Sequence, residues 1–231
     1  MTTKGAVGPF AVGAVFFDLF GTLLSLEPLA EACARIAPGR GAEIATQWRA
    51  SQVEASWLRT VMDRWVDFDV VTREALLATL EALGIDAPAD VDDIADAFVS
   101  LPLRSVAGEA VAALRRMGLR TGILTNASSE TLARVTGRLD LPMDHLLSVD
   151  AARRFKPHPS VYQLAVDATG LPPSHVGFVT ANGWDAAGAG VFGFKVAWLR
   201  PGPAATLPAV GAPDPIVATW AEIPEMFRAR P

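Results

Sequence analysis

The sequence predicts an α/β fold, a doubly wound parallel sheet interrupted by a helical insert. Three observations carry this. Five short apolar runs each end on a polar residue: residues 14–17 run into Asp18, 120–124 into Thr125 and Asn126, 145–149 into Asp150, 175–179 into Thr180, and 194–199 into Arg200. Such runs suit strands buried on both faces of a parallel sheet. Stretches of helical period separate them, at 108–118, 128–140, 159–170 and 184–193. From about Pro28 to Leu103 the alternation stops and every pattern is helical.

Taken in chain order, the first run places Asp18 at a strand end, followed by the turn "LFGT" (19–22). The helical stretch is expected to form a separate unit over 25–104. Residues 1–24 and 105–231 then form a Rossmann-like core, in which ligands sit outside the carboxyl ends of the strands. The polar residues ending the runs therefore converge on one crevice, with the insert lying over it as a cap. The segment 201–215 is rich in Pro, Gly and Ala and reads as a loop leading to a last short helix near 219–228.

Composition narrows the function classes. A chain of 231 residues that is 51% hydrophobic can bury a substantial core. A net charge of −5 without a basic stripe argues against a nucleic-acid partner. No stretch reaches the roughly 20 uncharged apolar residues of a membrane span. Cys33 is alone, which fits a reducing compartment. The apolar stretch from Ala6 to Leu24 has some character of an export signal, but Asp18 interrupts it and only Lys4 precedes it. A cytoplasmic location is expected.

Four pieces stand at strand ends: "DLFGT" (18–22), "TNAS" (125–128), "RRFKPHP" (153–159) and "TANGWD" (180–185). In order and spacing they resemble the four motifs of the haloacid dehalogenase (HAD) superfamily. The segments "WRASQVEASWLR" (48–59), "LLSVD" (146–150), "KPHPSVYQLA" (156–165) and "NGWDAAGA" (182–189) resemble its L-2-haloacid dehalogenase branch. The resemblance spans nearly the whole chain.

The residue chemistry agrees with that branch. Asp18 at a strand end reads as a helix cap, a metal ligand or a nucleophile, and Phe20 decides between them. Magnesium phosphatases of the superfamily carry a second Asp at that position to protonate a leaving alkoxide, whereas Phe20 can neither give nor take a proton. Ala181 replaces a further oxygen donor. Mg²⁺ demands oxygen ligands in near-octahedral geometry. A leaving group that departs as a stable anion, such as a halide, needs neither residue. No metal and no cofactor is therefore expected.

The resemblance implies the remaining roles. Asp18 is the nucleophile and Lys156 pairs with it. Asp185 holds Lys156 and helps activate the hydrolytic water. Asn182 positions Lys156 or water, and Thr22 either bonds Asp18 or caps the turn. Thr125 and Asn126, leading into a helix, would hold the substrate carboxylate, with Thr180 a minor candidate. Arg49, on a cap helix, would receive the halide. Phe20 and Trp184 would line the pocket, and Phe68, Val53 and Trp57 would form its apolar wall or the cap core, two roles that the sequence leaves open. Tyr162 would support the site through its hydroxyl. The partner is a small 2-haloacid, and the branch implies a homodimer.

The sequence departs from the branch at Phe20 for Tyr, Ala50 for Gln, Ala127 for Gly and Ala181 for Ser. None removes a catalytic group, but the first two would take donors from the leaving-group pocket. The runner-up activity is a Mg²⁺-dependent phosphatase, against which Phe20 and Ala181 count. A phosphonate-cleaving relative would need a cap lysine, and 25–104 contains none. A non-catalytic binding module would have no need to keep Asp18, Lys156 and Asp185 together.

Overall fold

The computed structural model describes residues 9–200 and 216–230. Its central sheet is parallel throughout and holds six strands: β2 (Ala14–Phe17), β3 (Arg120–Thr125), β4 (His145–Ser148), β5 (Val176–Thr180), β6 (Lys195–Leu199) and β7 (Ile216–Val217). The order is β4-β3-β2-β5-β6-β7. Counted from β2, this is the doubly wound order 3-2-1-4-5-6, with the reversal of winding between β2 and β5. Those two strands lie at the centre of the sheet and are buried residue for residue, as their unbroken apolar sequences require.

Helices α5 (Ser105–Arg116), α6 (Ser129–Thr136), α7 (Pro159–Thr169) and α8 (Gly183–Phe192) cross between strands. Ser128 caps α6 by accepting from the Thr131 amide, and His158 caps α7 through its ring nitrogen. Gly188 brings α8 against the chain after β4. A Cβ there would lie 2.5 Å from Pro157 Cβ and 2.6 Å from the Tyr162 hydroxyl. The close packing of α8 on these two residues therefore requires glycine.

Between β2 and α5 the chain forms α1 (Pro28–Ala34), α2 (Gly41–Val61), α3 (Phe68–Ala82) and α4 (Val91–Ala95), followed by a 3-10 turn over Asp96–Ser100. Packing among these helices runs mostly between sequence neighbours, α1 on α2 and α2 on α3. The entering and leaving chains lie side by side: Ser25 N donates to Pro102 O (3.0 Å) and Arg104 N to Leu23 O (2.9 Å), with a bridge between Leu24 and Leu103.

The structure differs from expectation at both ends of the chain. Residues Phe10–Val12 form a short strand, β1, paired in parallel with β8 (Phe227–Ala229) in a separate two-stranded sheet. The short helix expected near 219–228 is a 3-10 helix over Trp220–Met226, and its last expected residues belong to β8. Pro224 lies inside that helix and has no N–H for an α-helical bond. Helix α6 also ends at Thr136, short of the expected residue 140. The expected loop 201–215 lies outside the described residues.

Candidate active site

The carboxyl ends of β2 and β5 meet at the reversal point, and there the sequence places Asp18 and "TANGWD". Asp18 N donates to Val179 O (3.0 Å), which ties the first motif to β5. Gly21, at φ +83°, turns the chain back so that the Thr22 hydroxyl reaches Asp18.

The Asp18 carboxylate is almost fully buried and holds three donors. Its Oδ2 accepts from Thr22 Oγ1 (2.8 Å) and Asn182 Nδ2 (2.7 Å); its Oδ1 accepts from Lys156 Nζ (3.1 Å). Lys156 Nζ also donates to Asp185 Oδ2 (2.9 Å), and Tyr162 donates its hydroxyl to Asp185 Oδ1 (2.8 Å). Lys156 and Asp185 are both wholly inaccessible to solvent. A buried ammonium bridging two carboxylates is stable only with such partners.

The titration of these groups follows from their setting. Burial alone disfavours the Lys156 ammonium, but Asp18 and Asp185 outweigh it and raise its pKa above the ordinary lysine value. Burial pushes Asp185 up to about 6, against the opposing pull of Lys156. Burial, reinforced by Asp185, holds the Tyr162 hydroxyl well above the ordinary tyrosine range, so it stays a donor.

The neighbouring motif residues hold this centre in place. Asn126 Oδ1 accepts from the Lys156 amide (2.9 Å). Thr125 Oγ1 accepts from Ala127 N (3.1 Å), which shapes the turn into α6. Thr180 Oγ1 accepts from Asn182 N (3.1 Å), and Thr22 Oγ1 accepts from Ala181 N (3.0 Å). Thr22 thus bonds Asp18 and is itself aimed by the fourth motif.

The helical insert supplies the other wall. Phe20 meets Phe98 edge to face at 5.1 Å and stacks with Phe68 at 6.4 Å; Trp48 meets the other side of Phe98 at 5.1 Å. Phe20 is thereby packed into an aromatic cluster shared with the insert. Arg49 donates to Gln52 Oε1 (2.5 Å). Burial lowers its pKa, while the charges of Asp18 and Asp185 act on it in the opposite sense. Among the described residues it forms no ion pair with either.

Trp184 meets Trp57 edge to face at 5.8 Å. Together with Val61, Phe155, Pro157 and Val191 the two tryptophans line an apolar cavity of about 740 Å³ between α2 and α8. Trp184 therefore borders a cleft beside the centre, and Trp57, partly exposed, belongs to that cleft and not to the insert's core. Phe68 is buried against Phe20 and Phe155 and forms the apolar wall. Val53 is half-buried.

One expectation is overturned. Ala50 was expected to face the leaving group, but it is exposed on α2. The amide beside Arg49 belongs to Gln52, three residues on and hence on the same helix face. Sequence reasoning missed Gln52, and the i, i+3 spacing was the available signal. It also missed Asp69, at the start of α3, which accepts from Ser128 Oγ (2.6 Å) and Thr131 Oγ1 (3.0 Å) and so joins the insert to α6.

Known proteins carry the same architecture. The family described as haloacid dehalogenase-like hydrolase matches residues 12–193. The (S)-2-haloacid dehalogenase of Pseudomonas sp. strain YL is 40% identical over 189 residues, covering 80% of this chain and 82% of the relative. That of Xanthobacter autotrophicus is 41% identical over 189 residues, covering 80% and 74%. The structure of the Xanthobacter autotrophicus L-2-haloacid dehalogenase with chloropropionic acid covalently bound superposes with a TM-score of 0.87 at 34% identity, over 92% of this chain and 97% of that one.

Proposed function

The chain belongs to the haloacid dehalogenase-like hydrolase family, in its L-2-haloacid dehalogenase branch, and from that premise we propose that it hydrolyses short L-2-haloacids to D-2-hydroxy acids through an aspartyl ester. The observation that carries this reading is the setting of Asp18. It is a buried carboxylate fixed by three donors, with an aromatic cluster in place of an acid at position 20.

The substrate carboxylate would be held at the start of α6 by Thr125 and Asn126, where the helix N-terminus favours an anion. Asp18 Oδ1, held by Lys156 alone, is the attacking oxygen. It bonds to the halogen-bearing carbon from the side opposite the halogen. The halide leaves with the bonding pair towards Arg49, and configuration inverts. A carboxylate needs aim and desolvation for this step and no base. Oδ2 becomes the ester carbonyl oxygen, and the donors already on it, Thr22 Oγ1 and Asn182 Nδ2, stabilise the oxyanion when water adds to the carbonyl carbon. Asp185 takes the proton from that water. Cleavage between the carbonyl carbon and Oδ1 releases the product alkoxide, which takes the proton from Asp185, and Asp18, now carrying the water's oxygen, loses the second water proton to solvent and is restored as a carboxylate.

The fold family implies Mg²⁺ for its phosphatases, and the residues here do not fit that ion. The Lys156 ammonium already bridges the two carboxylates a metal would use. The described residues also hold no group of three or more His, Cys, Asp or Glu placed to share a cation. We therefore propose a metal-independent reaction, in which 25–104 acts as the cap domain over a core of 1–24 and 105–231. A cytoplasmic homodimer belongs to the same reading. No helix among the described residues is long and apolar enough to cross a membrane.

The test is halide release from L-2-chloropropionate with and without EDTA, beside a phosphatase assay with Mg²⁺. Activity is expected to survive chelation; loss in EDTA restored by Mg²⁺ would overturn metal independence. A single turnover in ¹⁸O water should place the isotope in Asp18. Label in the first-turnover product would mean that water attacks the substrate directly.

A further inference from the structure

We infer that Gln52 is the residue that positions Arg49 for the departing halide, through a relay anchored on α3. The inference rests on the reading of Arg49 given above and deepens it.

The relay has a fixed direction. Thr72 donates its hydroxyl to Phe68 O (2.8 Å), so an oxygen lone pair is left to face Gln52. Gln52 Nε2 donates to that oxygen (2.6 Å), which turns Gln52 Oε1 towards Arg49 Nη1 (2.5 Å). Trp48 fixes the same turn of α3 by donating to Thr72 O (2.8 Å). Gln52 is wholly buried, and both ends of its amide are engaged. A buried amide satisfied at both ends has one orientation.

The chemistry explains why an amide stands here. Arg49 is attracted by Asp18 and Asp185 and is partly desolvated. A guanidinium left free would swing to the Asp18 carboxylate and block the approach of substrate. A carboxylate at position 52 would hold it but cancel the charge that the halide needs. A neutral acceptor holds one N–H and leaves the rest of the fork, with its full charge, for the anion. Gln52 touches no reacting atom in this scheme and acts through Arg49.

The experiment compares Gln52→Met, Gln52→Glu, Thr72→Val, Thr72→Ser and Arg49→Lys in the full chain. Steady-state kinetics on 2-chloro and 2-bromo acids are measured together with product inhibition by chloride and bromide. Gln52→Met keeps the volume and loses the acceptor. A hydrogen bond to a charged group accounts for roughly 10–100-fold in rate, so kcat on the chloro acid should fall by about that factor. KM should change little, and halide inhibition should weaken in parallel. Gln52→Glu, which keeps the shape but pairs the charge, should also weaken halide inhibition. A merely structural Gln52 would move melting temperature and leave the halide inhibition constants at wild-type values, and that result overturns the inference. If Gln52→Met does not fold, the Thr72 pair decides: Thr72→Ser should retain most of the halide affinity that Thr72→Val loses, and equal values overturn it. Arg49→Lys separates the two claims. Wild-type halide inhibition in Arg49→Lys sinks the reading of Arg49 itself. A loss there with none in the Gln52 variants sinks only the relay.

Discussion

The two walls of the site hold their charges in opposite ways. On the sheet side Lys156 binds Asp18 and Asp185 directly and bridges them, and Thr22, Asn182 and Tyr162 take up the remaining carboxylate positions. On the helical side Arg49 is held by a neutral amide, in a wall where Phe68 and Phe98 pack on Phe20. In the proposed mechanism the first arrangement keeps the spacing of the reacting groups through two chemical steps, and the second leaves the charge of Arg49 for the departing halide. On that reading a counter-charge bridges the reacting groups, whereas a neutral amide holds the receiving one.

The largest effect should come from breaking the sheet-side network. Lys156→Met leaves Asp18 and Asp185 buried without their shared cation. Removing one partner of a buried pair costs about 3–5 kcal/mol. Urea unfolding should show a loss of that order, deepening as pH rises and Asp185 ionises, and halide release should be lost. Wild-type stability at neutral pH in this variant would show that the two carboxylates do not depend on Lys156.

A smaller effect tests the charge state of Asp185. Its ordinary value of 3.8 rises to about 6 in the folded chain. The folded state therefore binds this proton more tightly than the unfolded one. The contribution of Asp185 to stability is present below about pH 4 and is lost as pH rises to about 6. Activity, which in the proposed mechanism uses the ionised form, should climb through the same upper value. Tyr162→Phe removes a donor to the ionised carboxylate, so the acidic limb of the kcat profile should move to higher pH, with a cost of about 0.5–1.5 kcal/mol. An unmoved limb would assign it to another group.

The smallest effect lies at the edge of the helical wall. Asp69→Asn keeps the shape of the link to Ser128 and Thr131 but removes its charge. Asn can still accept one of these two part-buried hydrogen bonds, so the change removes about one such bond, roughly 0.5–1 kcal/mol. Melting temperature and kcat/KM should both shift slightly, and a loss as large as that of an Arg49 variant would place Asp69 inside the reaction.

The same contrast explains what the sequence made legible. Asp18, Thr125 and Thr180 each follow a short apolar run that suits a buried strand, so their position at strand ends follows from chain pattern. Lys156 and Asp185 are legible through their motifs. The helical side is read less well because one helix presents several faces. The resemblance pointed to position 50, where Ala50 is exposed, while the amide in contact with Arg49 belongs to Gln52. A glutamine in a helix looks like a surface residue until its burial is known. Strands β1 and β8 were invisible for another reason. Each is three residues long, and their pairing joins the two ends of the chain, where no local signal operates.

Gly188 carries no functional group, yet its missing side chain is what lets α8 seat against Pro157 and the Tyr162 hydroxyl. One of these neighbours adjoins Lys156, and the other holds Asp185. Any bulk at 188 is transmitted along both arms of the charge network at once, at the roughly 1–3 kcal/mol typical of an overpacked interior. In a survey of mutational tolerance this position would behave like a catalytic residue, losing turnover before abundance. Intolerance to substitution would there report distance from the chemistry measured in packed atoms, with no reactive group at the position to account for it.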